Sequence, residues 1–346
     1  MGHIENGVWR EGRDARTVNG EFVRRESQFR ARVTADGSSG FPAEAGRYHL
    51  YVSSACPWAH RTLIFRRLKR LEDAISISIV DPVIVDQGWA FGAGAGRVPD
   101  TVHGFHHLHQ VYTKAKPDYI GRVSVPVLWD RKQGTIVNNE SSEIIRMLNS
   151  EFEAFAGSHD DYYPQRLRGE IDSVNQVVYT SINNGVYRCG FATTQEAYER
   201  AFDALFAALD AMEARLDRAR YLVGDRVTEA DWRLFPTLVR FDAVYYGHFK
   251  CNLRRIEDYP NLSNYLRDLY QVPGVAETVD LDHIKRHYYA SHRHINPTGI
   301  VPKGPDIDFS APHDRAPAEG RNTLATANTE KTRIIQDSFE TTDEHR

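Results

Sequence analysis

Cys56-Pro57-Trp58-Ala59 sets one thiol between two differently patterned runs. Before it, Arg47-Tyr48-His49-Leu50-Tyr51-Val52 alternates like a half-buried strand; after it, the run from Pro57 to Arg70 carries Leu63, Ile64 and Leu68 at helical spacing. Cys56 therefore caps a helix. Pro57 suits the first helical position, where a missing N–H costs nothing. The free amides and positive dipole end behind Cys56 favour thiolate over thiol and make the residue a nucleophile toward sulfur. Ala59 stands where a resolving cysteine would, so attack on a disulfide or thioether sulfur leaves a mixed disulfide that an external thiol must release. The alternative, a small buried hydrophobe, is the common fate of cysteines but not of a Cys-Pro step at a strand-to-helix junction.

The elements that must hold this thiol follow from the patterning. Ile75-Ser76-Ile77-Ser78-Ile79-Val80 alternates and completes a right-handed βαβ unit. Val125-Pro126-Val127-Leu128-Trp129-Asp130 and Gly134-Thr135-Ile136-Val137-Asn138 are joined by a short polar turn, as in a hairpin. Glu140-Ser141-Ser142-Glu143 then opens an amphipathic helix through Ile144, Ile145 and Leu148. This order, β-α-β then β-β-α, is that of a thioredoxin-like α/β domain, expected over residues 46–155 with an insertion at 81–120. Residues 1–45 read as an extended arm that packs through Phe22 and Phe29. From 160 to 304 the pattern is all helical: Leu167, Ile171, Val174, Val178 and Ile182 share one face, and Phe202, Leu205, Leu209, Met212 and Leu216 another. Thr228-Glu229-Ala230-Asp231 opens a third helix with a Thr-x-x-Asp capping box, running through Leu234, Leu238 and Phe241. Residues 305–346 lose hydrophobic periodicity and read as a disordered tail.

Composition bounds the function. The 346 residues are 41% hydrophobic and 26% charged, with a formal net charge of −4, as in a soluble globular protein of two domains. Neither nucleic acid nor an anionic membrane surface is suggested as a partner. The start, Met1-Gly2-His3-Ile4-Glu5-Asn6, has no apolar signal core and lacks the Ser or Thr of a myristoylation signal. Three widely spaced cysteines form neither a disulfide framework nor a zinc pattern and fit a reducing, cytoplasmic setting. There the external thiol is most simply glutathione.

Other signals carry less. Gly92-Ala93-Gly94-Ala95-Gly96 lacks the strand and helix a dinucleotide loop needs and reads as a flexible insertion. His103, His106, His107 and His109 have metal-like spacings without a nearby carboxylate or cysteine, so no metal is expected. His60 and Arg61 either add positive potential beside Cys56 or form a solvated helix face. Cys189 and Cys251 lack the junction setting of Cys56 and read as structural.

A thioredoxin-like half followed by a helical half, with Cys-Pro-Trp-Ala at the active helix, resembles the glutathione transferase superfamily. The match narrows to the glutathionyl-hydroquinone reductases, or Xi class. It rests on Cys56-Pro57-Trp58-Ala59-His60-Arg61, Val125-Pro126-Val127-Leu128-Trp129-Asp130, Asn138-Asn139-Glu140-Ser141, Asn184-Gly185-Val186-Tyr187, and His287-Tyr288-Tyr289 with Ile295-Asn296-Pro297-Thr298-Gly299-Ile300-Val301-Pro302. These motifs fall in order over roughly residues 20–304, and the tail lies outside them.

The resemblance implies glutathione as co-substrate, no metal or nucleotide, and a homodimer. It likens Val125-Pro126 to the cis-proline site, whose backbone pairs with the cysteinyl unit of glutathione; an ordinary edge-strand proline is the plainer reading. Glu140 and Ser141 would meet the γ-glutamyl ammonium and carboxylate, or simply cap a helix. Trp89 would pack on glutathione and Arg122 pair with its glycyl carboxylate. Tyr187 and Tyr288 would line an aromatic acceptor pocket over Cys56 and supply a proton as a carbon–sulfur bond breaks, with Tyr245 and His248 as further candidates there. The implied activity is glutathione-dependent reduction of S-glutathionyl-hydroquinones through a Cys56–glutathione mixed disulfide. A general thioltransferase or dehydroascorbate reductase would use the same cysteine without the aromatic pocket. A conjugating transferase and a non-catalytic binding module built on a transferase-like body are the remaining alternatives.

Overall fold

The computed structural model describes residues 2–12 and 17–315. Its first 45 residues are not one extended segment. β1 (Gly2–Glu5) pairs antiparallel with β2 (Val8–Glu11), and β3 (Thr17–Val18) with β4 (Glu21–Phe22). Each hairpin turns on an Asn-Gly pair with positive φ at both residues, 48° and 76° at Asn6-Gly7 and 51° and 82° at Asn19-Gly20. That is the turn whose twist matches antiparallel strands, a local signal that the arm reading passed over. Beyond β4 the arm packs as expected through Phe22, against Tyr187 and Phe191, and Phe29, against Tyr112 and Tyr119.

The central sheet has the order β6-β5-β7-β8. β5 (Tyr48–Val52) is buried along its whole length between parallel β6 (Ile75–Ile79) and antiparallel β7 (Val127–Asp130), and β8 (Thr135–Asn138) closes the far edge. β7 starts two residues later than the pattern suggests, because Pro126 has no N–H to give the ladder. Arg47, just ahead of β5, reaches the buried Asp130 at the end of β7, donating from Nε at 3.0 Å to both carboxylate oxygens. α1 (Pro57–Leu68) follows β5 directly, and α3 (Ser141–Ser150) follows β8 and packs against α1.

The insertion is tied down rather than loose. α2 (Leu108–Ala115) lies within it, capped by His107, and His109 stacks on Trp9 at 5.1 Å. His103 meets the edge of Trp129 at 4.9 Å. Residues 92–96, expected to be flexible, form a turn whose Ala95 carbonyl lies 3.0 Å from His283 Nε2. A Cβ on Gly96 would stand 2.6 Å from that same nitrogen, so the turn's close approach requires glycine. Among the described residues no group of His, Cys, Asp and Glu could hold a metal ion, and no helix is long and apolar enough to cross a membrane.

The helical half comprises α4 (Arg168–Val177), α5 (Gly185–Gly190), α6 (Gln195–Arg218), α7 (Glu229–Arg240), α8 (Pro260–Tyr270) and α9 (Leu281–Ser291). The face from Ile171 to Ile182 is buried, but α4 gives way at Val178 to a wide π turn, closed by Asn184 N–H donating to the Tyr179 carbonyl at 3.0 Å. A second π turn follows α7 at Phe241–Tyr245. Such turns frequently mark sites of function. The tail reading needs correction over 305–315. Phe309 packs on Tyr270 at 5.3 Å, and Arg315 donates to the Leu216 carbonyl at 2.9 Å. Apolar periodicity could not find this segment because scattered contacts hold it, among them Gln271 donating to the Phe309 and Ala311 carbonyls; residues beyond 315 lie outside the described residues.

The capping box at Thr228 is present, and its Asp231 does more than cap. The fully buried carboxylate accepts from the amides of Thr228 at 2.7 Å and Leu222 at 2.9 Å, and from the Tyr265 hydroxyl at 2.7 Å. Asp231→Ala strands these donors in the core and should lower unfolding free energy by about 3 kcal/mol. A denaturant midpoint unchanged from the wild type would refute that.

Candidate active site

The site forms where α1 begins. Cys56 is the N-cap of α1, half-buried, with Pro57 in the first turn and the Cys56 carbonyl accepting from His60 N–H at 2.9 Å. Its Sγ lies 3.6 Å from the Val125 carbonyl oxygen, and the Val125–Pro126 peptide is cis. The strand-to-helix junction and the turn before β7 therefore meet at the sulfur, as the paired motifs suggest. Burial pushes the Cys56 thiol up, and the amides of Ala59 and Trp58 and the guanidiniums of Arg240 and Arg24 offset only part of that rise, so in the empty site the thiol stays above its ordinary range rather than below it as the helix end alone would set it. Helix-end stabilisation is thus one of several contributions, and desolvation opposes it.

Around the sulfur opens a cavity of about 700 Å³. Cys56, Trp89, Arg122, Val125, Pro126, Glu140, Ser141 and Tyr187 all line it, from both halves of the chain. Trp89 is stacked on His287 at 4.9 Å. Glu140 is the N-cap of α3, taking the Ser142 amide at 3.1 Å on one carboxylate oxygen and the Ser27 hydroxyl at 3.2 Å on the other. The neighbouring Ser141 hydroxyl is buried and has no hydrogen-bond partner among the described residues. A buried hydroxyl at a helix N-terminus on a cavity wall suits an anionic ligand group, which it and the α3 amides would satisfy together.

The other pocket candidates stand behind that wall. The Tyr187 hydroxyl lies 2.6 Å from that of Tyr288, which lies 2.9 Å from that of Tyr245. Tyr187 faces the cavity from α5, whereas Tyr288 on α9 and Tyr245 in the second π turn are buried. Burial first raises all three phenols above their ordinary range, with Cys56 adding to the rise at Tyr187 and the neighbouring phenols adding to it at Tyr245 and Tyr288, so they remain protonated donors. His248 stands farther back, with Nε2 at 3.2 Å from His292 Nδ1.

Some of this machinery escapes sequence reasoning. Arg24, from the arm, holds its guanidinium 4.7 Å from the Trp58 ring and 5.0 Å from the Tyr187 ring, and donates to Asn184 Oδ1 at 2.7 Å. Arg240, at the end of α7, is fully buried and donates to the Ala55 carbonyl at 3.0 Å and the Ser54 carbonyl at 2.9 Å. An arginine beside Leu238 and Phe241 on an otherwise apolar face is the one sequence signal that marks Arg240; Arg24 has none. His60 and Arg61 are also placed differently from either expectation. Both are buried: His60 faces Thr278 and Arg240, and Arg61 donates to Asn183 Oδ1 at 2.6 Å. Desolvation holds His60 far below its usual range, so it adds no charge.

Residues 55–151 match the glutathione S-transferase N-terminal domain and residues 195–268 its C-terminal domain. Fold and site together define a glutathione transferase. The chain is 56% identical over 306 residues to glutathionyl-hydroquinone reductase PcpF of Sphingobium chlorophenolicum, covering 88% of this chain and 96% of that protein. It is 52% identical over 323 residues to glutathionyl-hydroquinone reductase YqjG of Escherichia coli K12, covering 91% and 98%. Solved structures agree: the Xi class transferase of Natrialba magadii superposes with a TM-score of 0.86 at 51% identity, covering 91% of this chain and 96% of that one. The glutathione-bound structure of YqjG superposes with a TM-score of 0.84 at 51% identity, covering 91% and 99%. The chain belongs to the glutathionyl-hydroquinone reductase family, the Xi class of glutathione transferases.

Two buried histidines beside the phenol cluster, His248 behind it and His287 at the cavity wall under Trp89, make the site acid-sensitive. Burial pushes His248 down to about 4 and, with Arg240 contributing, His287 down to about 4. Both titrate near 6.5 once unfolded. The unfolded chain therefore binds more protons between these values, and their stabilisation, complete above pH 6.5, is lost as pH falls toward 4. Each should add a slope approaching ~1.4 kcal/mol per pH unit. Denaturant midpoints from pH 7.5 to 4.5 should fall less steeply in His248→Gln, and an unchanged slope would contradict the assignment.

Proposed function

We propose that this protein reduces S-glutathionyl-hydroquinones to hydroquinones at the expense of glutathione, with Cys56 as nucleophile. The observation that carries this reading is one cavity lined by both the helix-capping thiol beside the Val125–Pro126 turn and the protonated Tyr187 phenol, which is backed by the buried hydroxyls of Tyr288 and Tyr245. A general thiol–disulfide exchanger has no use for the phenols. Family membership supports the substrate class.

The Cys56 thiolate attacks the glutathionyl sulfur, forming a Cys56–glutathione disulfide. The carbon–sulfur bond to the ring breaks, and its electron pair passes to the ring carbon, which takes up a proton. A second glutathione thiolate then attacks the glutathionyl sulfur of the mixed disulfide, releasing glutathione disulfide and restoring the Cys56 thiolate. Ser141 and the α3 amides would hold the γ-glutamyl carboxylate, with Glu140 at the ammonium. Trp89 and Arg122 would bound the remainder of the tripeptide, and the Val125 backbone would pair with its cysteinyl unit.

The phenols supply the proton or the hydrogen bond that the ring needs. Three hydroxyls joined by two hydrogen bonds hold three protons and spend two internally. With Tyr245 donating to Tyr288 and Tyr288 to Tyr187, the third proton lies on Tyr187, the member that faces the cavity. Tyr187 is then the donor, while Tyr288 and Tyr245 set its direction. The cycle needs reduced glutathione, which fits the cytoplasm.

Cys56→Ser should abolish glutathione disulfide release while leaving the fold intact; full activity in that variant would sink the proposal. Tyr187→Phe should lower kcat for a glutathionyl-hydroquinone on the order of a hundredfold and leave exchange with a small aliphatic disulfide nearly unchanged. Equal losses on both substrates would make the phenol structural and favour the general thioltransferase.

A further inference from the structure

Arg240 touches both the loop that carries the nucleophile, at Ser54 and Ala55, and its own helix α7, at Pro236. Four of its N–H contacts can be assigned. Nη2 donates to the Ser54 carbonyl at 2.9 Å and Nε to the Ala55 carbonyl at 3.0 Å. Nη1 donates to the Pro236 carbonyl at 2.8 Å and to His60 Nδ1 at 2.9 Å. The last acceptor is fixed in that role. Thr278 Oγ1 donates to the Val275 carbonyl at 2.7 Å, so it accepts from His60 Nε2–H at 2.8 Å, and Nδ1 keeps its lone pair for Arg240.

All four acceptors are neutral, and among the described residues Arg240 makes no ion pair although it is fully buried. A desolvated guanidinium satisfied only by dipoles is costly for a structural brace, since a neutral donor would hold the same carbonyls without that cost. The charge is useful if an anion forms next to it. Two candidate anions lie within its field, the Cys56 thiolate and the phenol cluster of Tyr245 and Tyr288.

We propose that Arg240 is a positioning residue for the nucleophile. Its guanidinium clamps the two carbonyls that precede Cys56, and its counter-anion is the thiolate that forms at Cys56 in every turnover. The inference rests on Cys56 being the nucleophile, as in the reading above, but not on the identity of the substrate. The other charged or titratable groups that act on the sulfur are Arg24 from the arm and Tyr187 from α5, while the neutral His60 of α1 is turned to Thr278 and Arg240. Arg24 also carries a charge, so a test must separate the two arginines.

The test is the rate of Cys56 alkylation by iodoacetamide as a function of pH, read by peptide mass so that Cys189 and Cys251 are scored separately. Arg240→Gln keeps donors for the carbonyls and removes the charge; Arg240→Lys keeps the charge. The glutamine variant should alkylate about tenfold more slowly at pH 7, its profile moving up by about one pH unit, whereas the lysine variant should stay close to the wild type. A glutamine profile that superimposes on the wild type, or equal shifts in both variants, would leave Arg240 a brace and overturn the proposal. Because alkylation uses no hydroquinone, this outcome is independent of whether the protein turns one over. Should Arg240→Gln not fold, Cys56→Asp and Cys56→Asn in an Arg24→Gln background replace it. The carboxylate variant should melt higher than the amide at pH 7, and an equal or lower Tm would refute an open counter-charge.

Discussion

A buried arginine holds the two halves of this protein in register at the reacting sulfur. Arg240 belongs to the helical half, yet two of its donors go to the carbonyls of Ser54 and Ala55, immediately ahead of Cys56. The thioredoxin-like half cannot shift relative to α7 without breaking hydrogen bonds that no water reaches to replace, and each lost bond leaves a buried polar group unpaired. The position of Cys56 is therefore a property of the domain interface as much as of the β5–α1 junction. The phenol wall, built on α5, α9 and the second π turn, inherits the same reference point.

The rest of that interface is polar as well. α1 buries His60, Arg61 and Thr62 alongside Ala59, Ile64 and Phe65. His60 is satisfied by Thr278 and Arg240, and Arg61 by Asn183 and the Arg233 carbonyl at 3.0 Å. A helix enclosed by a sheet on one side and a second domain on the other needs no solvated face. Hydrogen bonds of fixed geometry then specify one docking arrangement, where apolar contacts alone would tolerate sliding.

This explains what the sequence disclosed and what it withheld. The β5–α1 junction, the Val125–Pro126 turn, the α3 cap and the Thr228 capping box were legible because each is local: a few adjacent residues state the backbone requirement. The assignment of His60 and Arg61 to a solvated face or a source of charge failed for the opposite reason, since their partners lie more than a hundred residues away. Arg24 is invisible on the same ground, and Arg240, though its place on an apolar face marks it as unusual, has nothing next to it that names the Ser54 and Ala55 carbonyls as its partners. The aromatic residues fall between these cases. Tyr187 and Tyr288 were found through motifs, but that they touch each other, with Tyr245 behind them, follows from two π turns that no periodicity announces. The packed stretch 305–315 escaped because its attachment rests on scattered contacts, Phe309 on Tyr270, Gln271 on the Phe309 and Ala311 carbonyls and Arg315 on the Leu216 carbonyl, that follow no period.

The arm ties the two halves together. It bonds to the helical half through Gly20, whose carbonyl accepts from Thr193 at 3.0 Å, and through Arg24. It then crosses to the thioredoxin-like half at Phe29, whose carbonyl accepts from Asn139 at 3.1 Å. Strapped to both sides, it turns an open groove between two domains into a pocket with a fourth wall. Arm residues between Phe22 and Arg30 line the same cavity as Cys56, so the strap that ties the two domains together is also part of the surface a ligand meets.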